Sequence, residues 1–176
     1  MNNNKHLISN KKERIRVMYS LGIFALLAGA VIYLITHTGN QSSLISARAL
    51  RKMGGSIGEL AAYGFGFSIS MYVIRRVVKR ITSKEIKQKL LVLARITREW
   101  HVPISIIAFG IIILHAYIML SRGLFLNLRY ISGLLALGVL GVQILSGIFR
   151  YKKIGVKFHM VTGIAFIIFM IIHLMT

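Results

Sequence analysis

Two apolar stretches decide how this chain is read: REWHVPISIIAFGIIILHAYIML at residues 98–120 and KFHMVTGIAFIIFMIIHLM at residues 157–175. The first carries His101 and His115, the second His159 and His173, and both pairs are fourteen residues apart. On an α-helix turning about 100° per residue, fourteen steps come within roughly 40° of four whole turns, so each pair lies on one face. At about 1.5 Å rise per residue the two rings of a pair stand roughly 21 Å apart, inside a hydrocarbon layer of about 30 Å. Two such helices can hold two ring-shaped ligands at two depths. That is the pattern expected of a di-haem membrane cytochrome.

The composition agrees with a membrane setting. Hydrophobic residues make up 56% of the 176 and the mean hydropathy is +0.70, well above a globular domain. Apolar runs long enough to span a bilayer recur at about 17–35, 57–74, 100–120, 130–149 and 157–175. The expected fold is therefore all-α: a basic cytoplasmic N-terminus, 1–16, and an integral membrane bundle of five transmembrane helices over 17–176. The net charge of +19 sits between the apolar spans and not along one polar face. It reads as topology signals and contacts with the lipid bilayer, with no nucleic-acid partner.

Absences narrow the chemistry. With no cysteine, disulfides, iron–sulfur clusters, thiolate ligation and covalent c-type haem attachment are excluded. The acids are Glu13, Glu59, Glu85 and Glu99, with no aspartate, so a carboxylate pair for hydrolysis or two-metal chemistry is hard to assemble. Neither a serine-hydrolase motif nor a phosphate loop occurs, and a nicotinamide- or flavin-binding domain of the usual kind has no room.

Along the chain, the run at 17–35 is too long for a signal-peptide core and is kept as the first span. His37 falls just beyond it, at the interface. Residues 36–56 read as a polar loop. The second span is rich in small residues (Gly58, Ala61, Ala62, Gly64, Gly66, Ser68, Ser70), which let helices or a flat macrocycle approach closely. Glu59 stands at its mouth as an interfacial acid, with proton transfer the alternative role. Residues 75–100 are the most basic part. Leu90, Leu93, Ile96 and Trp100 recur there at helical spacing, which predicts an amphipathic helix lying in the interface. Pro103 then falls near the start of the third span, and a helix continuous from 86 would be kinked there. Gly133, Gly138, Gly141 and Gly147 keep the fourth span slim.

Loop charge sets the orientation. With the N-terminus in the cytoplasm, eighteen Lys and Arg fall inside and five outside, so the positive-inside rule favours N-in, C-out. The third and fifth spans then run parallel. His101 and His159 lie near the cytoplasmic face, and His115 and His173 near the outer one. Each level offers two imidazoles, the donor set of a bis-histidine haem b, and so two haem b cofactors are expected. The competing readings are four polar core histidines bonded to carbonyls, a proton relay, and a zinc or copper site. A metal site would find only two histidines per level and no thiolate or aspartate to complete its shell. Gly163, one turn after His159, is placed at the porphyrin edge, with helix packing the equal alternative. Arg95, Arg98, Lys152, Lys153 and Lys157 are candidate propionate partners inside, with Arg122 and Arg129 outside; headgroup anchoring is the other role open to them.

From about residue 56 to 175 the chain resembles the ferric reductase-like transmembrane domain, whose relatives include the membrane cores of NADPH oxidases and ferric-chelate reductases. The resemblance is carried by Trp100–His101 through His115, by SGLLALGVLGVQILSGIFRYKK at 132–153, and by His159 through His173. It implies that His101 and His159 ligate an inner haem, and His115 and His173 an outer one. Electrons would cross the cell membrane from a cytoplasmic-side donor to an outer-face acceptor. Five spans stand where fuller members have a sixth and an NAD(P)H–flavin domain. The expectation is thus an electron-transfer component of an oxidoreductase, supplied by a separate donor protein or by quinol. A cytochrome b anchor subunit of a quinone-linked complex and a haem-free transport or assembly protein are the alternatives.

Overall fold

The computed structural model describes residues 8, 10–37, 47–121, 123, 125–150, 152 and 154–176. Residues 1–7, 9, 38–46, 122, 124, 151 and 153 and the side chain of His37 lie outside the described residues. Five α-helices follow one another: α1 Lys11–His37, α2 Ala47–Val78, α3 Lys84–Leu120, α4 Leu128–Arg150 and α5 Val156–Met175. There is no strand among the described residues. All five helices are long and apolar enough to cross a membrane, as the hydropathy predicted.

Local chemistry accounts for the ends. The Asn10 carboxamide oxygen accepts from the amides of Lys12 and Glu13 at 3.0 and 3.4 Å, capping α1. Asn127 does the same for α4 through the Tyr130 amide at 3.0 Å. Between α4 and α5 the chain turns at Gly155, whose φ of 68° is left-handed and favours a residue without a side chain. Hydroxyls inside the helices are returned to backbone carbonyls. Ser20 bonds Val17 O, Thr97 bonds Leu93 O and Ala94 O, and Ser132 bonds Arg129 O. Hydrocarbon offers no water to do this work, so such internal satisfaction is a condition of spanning.

The helices form two compact units. In one, α3 is central, with α1 parallel on one side and α2 antiparallel on the other. Phe24 of α1 stacks on Phe109 at 5.8 Å, while Ala61 and Phe65 of α2 and Ala108 and Ile118 of α3 are buried. The second unit is the antiparallel hairpin of α4 and α5, closed over Ala136, Leu140 and Phe166. Large apolar side chains are exposed along its outer surface, Leu145, Val161 and Leu174 among them. Lipid is as apolar as those side chains, so nothing drives them inward.

Two expectations are corrected. The basic segment before Pro103 is not a separate interfacial helix: α3 runs unbroken for 37 residues, about 55 Å, well beyond the hydrocarbon thickness. The reason is packing. Thr97 and Pro103 are buried, and Arg16 of α1 holds Glu99 at 2.8 Å while its guanidinium lies 5.2 Å from the Trp100 ring. Residues 47–56, read as loop, are the first turns of α2, because Gly54 is buried against Ile118 and Met119 at the far end of α3.

Candidate functional site

All four histidines are half-buried. On α3, the antiparallel register sets Gly58 of α2 opposite His115. A Cβ at Gly58 would lie 2.8 Å from both Cε1 and Nδ1 of the ring, so the imidazole rests directly on the glycine backbone. Its Nδ1 reaches the carbonyl of Gly54, one turn back, at 2.8 Å. Fourteen residues earlier on α3, His101 places Nδ1 at 3.2 Å from the carbonyl of Ser68, fourteen residues further along α2. The Ser68 hydroxyl itself bonds Gly64 O and Ser105.

The α4–α5 hairpin repeats this plan. His173 rests on Gly133, where a Cβ would lie 2.9 Å from its Cε1 and Nδ1, and its Nδ1 reaches Arg129 O, one turn back, at 2.8 Å. His159 faces Gly147 more loosely, at 3.5 Å from a Cβ to Cε1. Its Nδ1 meets the Ser146 hydroxyl at 2.8 Å, and that hydroxyl donates to Gln143 O at 2.7 Å. The Gln143 amide nitrogen in turn donates to His159 Nε2 at 3.3 Å, and its amide oxygen accepts from Thr162.

These bonds dictate a tautomer. A carbonyl oxygen only accepts, so Nδ1 of His101, His115 and His173 carries the proton. At His159 the Gln143 amide nitrogen can only donate, so Nε2 accepts and Nδ1 again donates, here to the Ser146 hydroxyl. In the neutral ring Nε2 then holds the lone pair. A histidine that ligates a metal through Nε2 is normally oriented by such an Nδ1–H bond to a carbonyl. A structural histidine satisfies Nδ1 in the same way, but nothing in packing alone requires four rings to make the same choice at the same spacing.

Other sequence candidates fall as follows. Gly163 faces the Gln143 amide, whose nitrogen would lie 3.0 Å from a Cβ there, so its open side is filled by α4 within the hairpin. Arg95, Arg98, Arg129, Lys152 and Lys157 are exposed, and Arg122 and Lys153 lie outside the described residues. Glu59 is exposed on the first half of α2. Among the described residues, no group of three His, Cys, Asp or Glu side chains is placed to hold a metal ion. Gln143, Ser146 and the glycine seats escaped the sequence reading. The signal was present: Gly133 and Gly147 are also fourteen apart, echoing the histidines they carry. No family model, no curated protein and no solved structure matches this chain.

Proposed function

We propose that this chain is a di-haem b-type cytochrome of the ferric reductase-like kind, sited in the cell membrane N-in and C-out. It relays electrons from a cytoplasmic-side donor, a protein or quinol, to an acceptor at the outer face. His101 and His159 would hold the inner haem and His115 and His173 the outer one. The observation that carries this reading is the shared contact: four imidazoles, paired at matching spacing, each with Nδ1 hydrogen-bonded inside its own hairpin, an arrangement that puts the lone pair on Nε2. That donor set fits a haem iron and suits neither a zinc shell nor a hydrolytic site.

Haem bound there would supply one-electron transfer, with the neutral imidazoles of His101, His159, His115 and His173 as the groups that would hold it. The protein's own part is to orient. The carbonyls of Gly54, Ser68 and Arg129 hold three rings, and the glycine seats let the rings of His115 and His173 lie against the neighbouring helix. The long apolar spans exclude water.

The test is a reduced-minus-oxidised spectrum of purified protein with haem quantified per chain. Two b haems per chain are expected. A preparation with no Soret or α-band change on dithionite reduction refutes the proposal.

A further inference from the structure

We infer that Gln143 and Ser146, one turn apart on α4, form a two-armed clamp on His159, of which one arm persists when a haem binds and the other must let go. This rests on the proposed function for what takes the ring, but the clamp is a feature of the hairpin alone. Ser146 accepts from Nδ1 at 2.8 Å and donates its own O–H to Gln143 O at 2.7 Å. Gln143 donates to Nε2 at 3.3 Å, and its amide oxygen accepts from the Thr162 hydroxyl. The Gln143 arm therefore specifies one tautomer, with the proton on Nδ1, and the Ser146 hydroxyl accepts that proton's hydrogen bond.

The two arms act oppositely on ligation. An imidazole nitrogen has a single in-plane lone pair, so Nε2 cannot keep the Gln143 hydrogen bond and bind iron together. Gln143 competes for the ligand nitrogen. Ser146 does not; its bond to Nδ1–H survives ligation, keeps the ring turned and raises its basicity, as a carbonyl does at the other three sites. A hydroxyl in this place also distinguishes His159 chemically. It can be removed by one substitution, whereas a backbone carbonyl cannot.

Ser146 and Gln143 are thus positioning residues, and variants at them should move haem retention in opposite directions. Transfer of haem from the purified cytochrome to excess apomyoglobin is the readout, with His159→Ala identifying the component concerned. Ser146→Ala should release that component about fivefold faster, and Gln143→Leu, which keeps the side-chain bulk without the N–H, should release it about fivefold more slowly. Ser146→Thr, which restores the hydroxyl, should return the wild-type rate. The midpoint potential of the same component should rise in Ser146→Ala, since a less basic imidazole stabilises ferric iron less, while the other component stays put. Rates that change in the same direction in both variants, or not at all, overturn the clamp.

Ring-nitrogen NMR of haem-free protein labelled in histidine separates this inference from the function it rests on. His159 should show the Nδ1–H tautomer in the wild type and a mixture in the Ser146→Ala/Gln143→Leu double variant. A wild-type ring protonated at Nε2 overturns the clamp whatever the haem content. Absence of haem from protein that gives the expected ring signature would instead sink the proposed function and leave the clamp standing.

Discussion

The α2–α3 and α4–α5 hairpins solve one problem twice, and they differ at one of two levels. At His115 and His173 the solutions coincide: the ring lies on a glycine of the partner helix, and Nδ1 meets the carbonyl one turn before that glycine at 2.8 Å in both. At His101 and His159 they part. His101 uses a bare carbonyl at 3.2 Å, and the residue fourteen on from Gly58 is Tyr72, whose hydroxyl accepts from Arg76 at 2.6 Å. His159 uses a hydroxyl relay and is met at Nε2 by Gln143. A ring pressed against a helix demands a glycine and takes whatever backbone lies beside it. A ring held further off leaves room for side chains, and those can be tuned.

The comparison can be broken most severely at the histidines. On the proposed function, His115→Ala and His173→Ala should each lower the haem content by about half, and both should abolish the same spectral component; His101→Ala and His159→Ala should abolish the other. Loss of different components on changing His101 and His159 would separate the hairpins into independent sites and defeat the pairing. Next come the seats. A methyl group at Gly58 or Gly133 meets an imidazole pinned by its own hydrogen bond, so Gly58→Ala and Gly133→Ala should each cost about 1–3 kcal/mol. Thermal unfolding in detergent should show this as a lowered midpoint, together with partial loss of the component that depends on His115 and His173. Gly147→Ala should be near neutral, because the added carbon would stand at an ordinary 3.5 Å from the ring. Equal damage at Gly133 and Gly147 would show that the two levels of α4 are seated alike.

The smallest effect is expected where the hairpins have nothing in common, at α1. Arg16 and Glu99 form an ion pair at 2.8 Å with side chains 26% and 42% exposed, so Glu99→Gln should cost under about 1 kcal/mol, and less at high salt. Arg16→Ala should cost somewhat more, since it also removes the cation from the Trp100 ring. A measured loss that does not shrink with salt would locate the pair out of reach of screening ions.

The number and kind of helices were legible because a bilayer imposes a length and a polarity on each span, and both can be counted along the chain. Helix ends were less so. Residues 47–56 carry Arg48, Arg51 and Lys52 and read as loop, yet they are helical because α3 reaches far enough to bury Gly54. Likewise, local pattern broke α3 near Pro103, whereas contacts of Thr97, Glu99 and Trp100 carry the helix through it. Gly163 left porphyrin edge and helix packing as equal alternatives, because sequence shows the missing side chain and not the Gln143 amide that stands 3.0 Å from where a Cβ would lie.

By itself the sequence determined five apolar helices and four histidines set in two pairs at a common spacing, since periodicity and hydropathy are properties of each segment taken alone. Only the tertiary structure decided which atoms those imidazoles address. The carbonyls of Gly54, Ser68 and Arg129 and the hydroxyl of Ser146 come from a neighbouring helix, at positions that the antiparallel register chooses. A carbonyl is the same in every residue, so no reading of side chains could have marked the acceptors of His101, His115 and His173, and it is they that put the proton on Nδ1 and the lone pair on Nε2.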